Sequence, residues 1–162
     1  MPRCTFATPL GLCAVTWGED GLTGFTLPGA AVHADDLARA ALPRAIAELV
    51  ARVERHLAGE AQDFAGERYD FSSVPEFGRR VLRATLAVKS GRTATYGEIA
   101  AAIGEPPAAS RAVGAALGAN RWPLLIPCHR ITGADGRMTG FSGPGGIETK
   151  TRLLALEGAC LL

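Results

Sequence analysis

The chain contains no apolar run approaching the roughly 18 residues that a membrane-spanning helix needs. Its first residues, Met1-Pro-Arg-Cys-Thr-Phe6, hold no apolar segment of the signal-peptide kind. None of its four cysteines, Cys4, Cys13, Cys128 and Cys160, pairs with another as C-x-x-C, so zinc-ribbon and dithiol redox motifs find no support. Internal repeats and low-complexity tracts are missing as well. These absences lead to the expectation of a cytoplasmic protein with no membrane attachment, whose thiols stay reduced.

What is present is a globular composition. The 162 residues are 48% hydrophobic and 20% charged, enough for one large or two small domains with a real core. The net charge of +1 hides an asymmetry. Residues 1–74 carry 6 Lys+Arg against 10 Asp+Glu, and residues 75–162 carry 11 against 6. A basic second half suits an anionic partner such as nucleic acid, although an ordinary solvated face would give the same count.

The local patterns predict an α+β fold. Leu12–Trp17 and Leu22–Leu27 read as strands joined by the turn Gly18-Glu-Asp-Gly21, a hairpin. Residues 35–58 read as helix, broken or restarted at Pro43, with Ile46, Leu49, Val50, Val53 and Leu57 at helical spacing. Arg68–Phe71 reads as a further strand and Ser72–Pro75 as a linker. In the second half, Ser73 with Glu76 reads as a capping box opening a helix that presents Phe77, Val81, Ala84 and Val88 and stops at Gly91. Thr95 with Glu98 is a second capping box, opening a short helix with Ile99 and Ile103 inward. After the turn Gly104-Glu-Pro-Pro107, a helix over 108–118 turns Ala109, Val113, Ala116 and Leu117 inward. The pair forms a candidate helix-turn-helix. A last helix runs from about Glu148 to Glu157, with Gly158 at its C-cap.

Two features carry chemistry. The outer face of the 108–118 helix shows Ser110, Arg111, Gly114, Ala115 and Gly118. Glycine inside a helix costs about 1 kcal/mol relative to alanine, so a stripe of small residues implies close approach, either by a partner's backbone or by another part of the same chain. The second feature is the run Pro123-Leu-Leu-Ile-Pro-Cys-His-Arg-Ile131. A cysteine reacts as thiolate and needs a base or a cation to reach that state. His129 and Arg130 are at hand, but neighbours on a strand face opposite ways, so coupling Cys128 to His129 requires irregular backbone or a bridging water. A core cysteine beside a surface His-Arg pair is the plain alternative. A buried carboxylate would orient the imidazole, and Glu157 is a candidate; a glutamate at a helix C-terminus stands against the helix dipole.

Pro127-Cys-His-Arg130 resembles the active-site motif of the O6-alkylguanine-DNA alkyltransferases. Thr95-Tyr-Gly-Glu-Ile-Ala100 is similar to that family's first DNA-binding helix and Ser110-Arg-Ala-Val-Gly114 to its recognition helix. Asn120, eight residues before the cysteine, matches its hinge asparagine. Thr139-Gly-Phe-Ser-Gly-Pro-Gly-Gly146 resembles its active-site loop, and Leu153-Leu-Ala-Leu-Glu-Gly158 its closing helix. The likeness covers about residues 73–159, with a looser match through Thr8-Pro-Leu-Gly11.

The resemblance implies a ribonuclease H-like N-terminal α/β domain over 1–72, built on a small antiparallel sheet, and a mostly helical DNA-binding and alkyl-acceptor domain over 73–162. It implies a monomer that moves an alkyl group from O6 of guanine, and from O4 of thymine, irreversibly onto Cys128, without metal or cofactor. Double-stranded DNA holding O6-alkylguanine would be the partner, met through the minor groove. His129 would take the thiol proton through a water, Glu157 would orient His129, Asn120 would brace the turn, and Tyr96 would donate to the leaving guanine. Arg111 would fill the gap left by the flipped base, with Ser110, Ala112, Gly114, Ala115, Thr95 and Arg130 at the DNA. Pro123 and Phe141 would wall the pocket, Ser142 would contact the O6 oxygen, and Lys150 would lie near the mouth.

This chain departs from the family pattern in places. The turn before Ser110 and the loop Phe141–Gly146 are longer than the common form, and Phe141 replaces a frequent tyrosine. Cys4, Cys13 and His33 do not match the spacing of the zinc ligands of some relatives. Two rivals remain: a non-catalytic binder that flags alkylated DNA, which the presence of Cys128 disfavours, and a multiple-turnover hydrolase with a Cys-His-Glu triad.

Overall fold

The computed structural model describes residues 1–134 and 146–159. Strands β1 (Arg3–Thr8), β2 (Gly11–Gly18) and β3 (Gly21–Thr26) form an antiparallel sheet in that order. β1 pairs with β2 from Arg3 opposite Thr16 to Thr8 opposite Gly11. Its Cys4 and Phe6 are buried while Ala7 is exposed, the period-two alternation of a half-buried strand. The Gly18-Glu-Asp-Gly21 hairpin forms as its turn residues predict.

Helix α1 (Arg44–Leu57) starts directly after Pro43. Its stripe of Ile46, Leu49, Val50, Val53 and Leu57 enters the core against the sheet. The residues before Pro43 do not form the expected helix. Leu42 is extended (ψ 141°), the conformation a following proline imposes, and only a single 3-10 turn forms, at Arg39–Ala41. That loop is clipped to β1 instead: the Asp36 carboxylate accepts from Arg3, Thr5 and the His33 backbone N–H. Arg68–Phe71 makes one bridge, Tyr69 to Leu22, rather than a strand.

The second half is built from α2 (Glu76–Leu86), β4 (Ala94–Thr95), α3 (Tyr96–Ala102), α4 (Ser110–Gly118), β5 (Ile131–Thr132) and α5 (Gly146–Leu156). The Thr95–Glu98 capping box is present, with both bonds at 3.0 Å. The Ser73–Glu76 box is not. Pro75 occupies the N-cap of α2, leaving Ser73 two residues too early to reach the first turn. α2 also ends at Leu86, before Gly91. Beyond it the Val88 carbonyl accepts from Arg130 at 2.7 Å, so a tertiary partner satisfies a group that a longer helix would have used internally. α4 rests on α2 and α3 through Val113 and Leu117, and β4 pairs in parallel with β5. This short ladder ties the entrance of α3 to the segment just after Cys128.

One continuous core runs from Cys4 and Val15 through Leu49 and Val53 to Val113, Trp122, Ile131 and Leu153. Trp122 is its largest fully buried side chain. Its indole N–H donates to the Leu22 carbonyl at 2.9 Å, and Tyr69 and Phe71 meet its ring edge-on. A fully buried side chain of this size contributes several kcal/mol. Here that stabilisation locks the turn leading to Cys128 onto the sheet.

Candidate active site

The segment from Asn120 to Arg130 folds as a pinned, irregular turn. Asn120 Oδ1 accepts the Trp122 N–H at 2.9 Å, and its Nδ2 donates to the Ile126 carbonyl at 3.0 Å. The Ile126 N–H returns to the Trp122 carbonyl at 2.8 Å. Between these anchors Leu124 sits at φ 78°, a conformation costing a branched side chain about 1–3 kcal/mol. It persists because Leu124 is fully buried and both ends are tied. Pro127 (φ −79°, ψ 63°) then makes an inverse γ-turn, with the Cys128 N–H on the Ile126 carbonyl at 2.7 Å. Cys128–Arg130 is one turn of 3-10 helix, in which successive side chains do not oppose each other as on a strand. The backbone here is irregular, so Cys128 and His129 are not held on opposite faces as strand neighbours would be.

Glu157 lies across from this turn, at the C-cap of α5. Gly158, at φ 78°, closes the helix with its N–H on the Ala155 carbonyl, and Ala159 bonds Leu154, so the backbone fixes where the glutamate points. The carboxylate is fully buried. Arg130 grips it twice, Nε to Oε1 and Nη2 to Oε2, each at 2.9 Å. His129 Nε2 contacts Oε2 at 2.9 Å and His56 Nε2 contacts it at 2.8 Å. Burial opposes the charge on Glu157, but the bonds from Arg130, His129 and His56 outweigh it and hold the carboxyl well below the usual range. An ionised carboxylate only accepts, so His129 donates from Nε2. Its Nδ1 is buried and has no hydrogen-bond partner among the described residues.

Burial also lowers the proton affinity of His129, with Glu157 acting against it and Arg130 and His56 adding to it. The imidazole is therefore neutral at rest, with a lone pair on Nδ1. Cys128 is partly buried, and desolvation raises its thiol, opposed by the Asn120 side chain, Lys150 and local backbone bonds. Cys128 therefore rests as a thiol, next in sequence to a neutral imidazole. Cys4 and Cys13 are inert by comparison. Both are buried in the sheet, and burial pushes Cys13 up to about 12.

The other sequence-predicted residues fall into two groups. Arg111, Ala112 and Ala115 are exposed on α4, with Ser110 and Gly114 beside them partly buried. A Cβ at Gly114 would stand 3.8 Å from the Tyr96 ring, so the tyrosine ring lies over α4 at this position. Ser110 Oγ donates to the Pro107 carbonyl at 2.8 Å, and the Thr95 hydroxyl caps α3. Pro123 is partly buried within the pinned turn.

Two placements differ from expectation. Arg130 is not free to meet DNA: it is 6% exposed and committed to Glu157 and Val88. Lys150 is not at a pocket mouth: it is 1% exposed and donates to the Ile131 carbonyl at 2.5 Å. Burial lowers the proton affinity of its amine, and the bond to the Ile131 carbonyl compensates part of the cost of burying the ammonium. Phe141 and Ser142 lie outside the described residues. His56 was missed altogether, although it falls three residues after Val53 on the apolar stripe of α1, a titratable group at a core position.

The family model for the DNA-binding domain of 6-O-methylguanine DNA methyltransferase matches residues 76–159. The methylated-DNA–protein-cysteine methyltransferase of Methanothermobacter thermautotrophicus is 38% identical, over 94% of this chain and 83% of its own length. The crystal structure of Mycobacterium tuberculosis OGT in complex with DNA superposes with a TM-score of 0.80 at 34% identity, covering 98% of this chain and 93% of that one. An O6-methylguanine-DNA methyltransferase from Pyrococcus kodakaraensis gives 0.70 at 25% identity, covering 98% and 99%.

Proposed function

The chain belongs to the methylated-DNA–protein-cysteine methyltransferases, and we propose that Cys128 is the acceptor in a single-turnover reversal of O6-alkylguanine in duplex DNA, with O4-alkylthymine as a second substrate. The observation that carries this reading is the pairing of a braced thiol with a neutral imidazole whose Nε2–H is held by a buried carboxylate. In the reaction the thiol proton passes through a water to His129 Nδ1. The sulfur attacks the alkyl carbon, the carbon–O6 bond breaks, and its electron pair returns to the guanine, which Tyr96 assists by donating a hydrogen bond. The resulting thioether has no leaving group that would regenerate the thiol, so each molecule acts once. Glu157 stabilises the imidazolium as it forms.

The helix-turn-helix of α3 and α4 would meet the minor groove, only about 6 Å wide. Ala112, Gly114 and Ala115 suit that width, and Arg111, exposed among them, would occupy the stack in place of the extruded base. These elements lie in the half assigned as the DNA-binding and acceptor domain, 73–162, which carries the excess of cations. The chain would act as a monomer.

The test is stoichiometric. Titrating a fixed amount of protein with excess duplex holding O6-methylguanine should repair one lesion per protein molecule. Cys128→Ser should still bind duplex, with an affinity that falls as salt is added, and repair none. Repair continuing beyond one equivalent would contradict the reading and favour a turnover enzyme.

A further inference from the structure

The two oxygens of Glu157 are unequally loaded. Oε1 accepts from Arg130 Nε alone. Oε2 accepts from three N–H groups: Arg130 Nη2, His129 Nε2 and His56 Nε2. A carboxylate oxygen has room for about two good donors, so the three share it, and His56 holds the shortest of these contacts. Its tautomer is set independently. The Gln62 backbone N–H, which can only donate, lies 3.0 Å from His56 Nδ1, so the ring proton is on Nε2. The side chain is 1% exposed, its ring meets Phe64 edge-on at 5.6 Å, and α1 closes three residues on, at Gly59 with φ 103°. His56 can neither turn away from Glu157 nor be replaced there by solvent.

We propose that His56 is a positioning residue for alkyl transfer: by donating to the oxygen that orients His129, it limits how strongly the carboxylate draws on the base. The proposal rests on the acceptor role of Cys128 and the base role of His129. The groups facing Glu157 are His56 from α1 and His129 and Arg130 from the Cys128 turn. Lys150 lies near Cys128, and Lys89 and Asp63 line the cleft beside Arg130. None of these others donates to Oε2, so removing the His56 N–H leaves more of that oxygen to His129. The imidazole then binds a proton more readily and stays protonated to higher pH. A protonated His129 cannot take the thiol proton, so the acid limb of the transfer rate moves up in pH.

The test uses the whole chain and free O6-benzylguanine, reacted in single turnover from about pH 5 to about pH 9, the range in which histidine titrates. His56→Phe should move the acid-side midpoint up by on the order of half a pH unit or more, about a threefold rate loss on that limb. His56→Gln, which keeps an N–H donor on a side chain of similar reach, should return the profile to that of the wild type. Superimposable profiles for wild type and His56→Phe would overturn the proposal, as would His56→Gln following the phenylalanine variant. If the phenylalanine variant does not fold, nitrogen-15 imidazole NMR of the wild type decides: a proton on Nε2 of His56 supports the proposal, and a proton on Nδ1 overturns it. A wild type that transfers nothing at any pH, from the free base or from duplex holding O6-methylguanine, removes the acceptor role of Cys128 as well, whereas a transferring wild type with an unshifted variant removes only His56.

Discussion

Replacing Glu157 by glutamine separates the two tasks of the buried cluster. The carboxylate is fully buried and answers four N–H donors. A glutamine presents one carbonyl and one NH2, so at least one of those donors must face another donor. The Arg130 guanidinium, 7% exposed, would also lose its counter-charge. Removing one partner of a buried ion pair costs about 3–5 kcal/mol. For a chain of this length each kcal/mol is worth roughly 2–4 °C in Tm, so the melting temperature should fall by about 6–20 °C. The loss should depend on pH in a defined direction. The folded carboxyl is held below its unfolded value, so its contribution is complete above about pH 5 and shrinks as pH drops below about 4.3, where the unfolded chain takes up a proton. Transfer from free O6-benzylguanine should slow by on the order of a hundredfold or more, the contribution of a positioned general base. Thermal melts across pH and single-turnover rates at neutral pH give both readings. A variant as stable as the wild type would refute the claim that Glu157 is the counter-ion of a desolvated Arg130. A stable variant of undiminished rate would remove it from the reaction too.

Two further outcomes follow from the geometry. Arg111→Ala should slow repair of duplex by on the order of tenfold, corresponding to about 1.4 kcal/mol, and leave the reaction with free O6-benzylguanine unchanged, because only duplex requires a base to be flipped; equal losses on both substrates would assign the damage to the fold. Asn120→Ala should cost about 1–3 kcal/mol in urea denaturation, since the buried Trp122 N–H loses its acceptor, and should slow transfer on both substrates; a slowed duplex reaction with a normal free-base reaction would contradict a brace for Cys128.

Much of the fold is legible locally. The hairpin follows from its Gly-Glu-Asp-Gly turn, α1 from a stripe that begins at Pro43, and α3 from a capping box whose two partners are only three residues apart. What failed depended on distant partners or on a single competing residue. Ser73 and Glu76 had the capping-box spacing, but Pro75 set the helix start. β1 is not among the strands read from the sequence, although Cys4 and Phe6 alternate with Arg3 and Thr5, because six residues pair only once β2 is beside them. The Cys128–His129 adjacency was visible, yet the γ-turn and 3-10 turn that make it workable depend on Asn120 and on a tryptophan anchored a hundred residues away at Leu22. Arg130 and Lys150 read as surface cations because sequence carries no sign of the carboxylate or carbonyl that will bury them. His56 shows the same limit: its partner is 101 residues distant.

The central claim is that the sulfur of Cys128 keeps the alkyl group. Wild-type protein mixed with one equivalent of duplex containing O6-methylguanine, then measured by intact-protein mass spectrometry and peptide mapping, addresses it directly. The account predicts a gain of one CH2 per molecule, carried wholly by the peptide containing Cys128, with Cys4, Cys13 and Cys160 unchanged. An unmodified protein beside a repaired duplex, or a methyl group on any other residue, would contradict it.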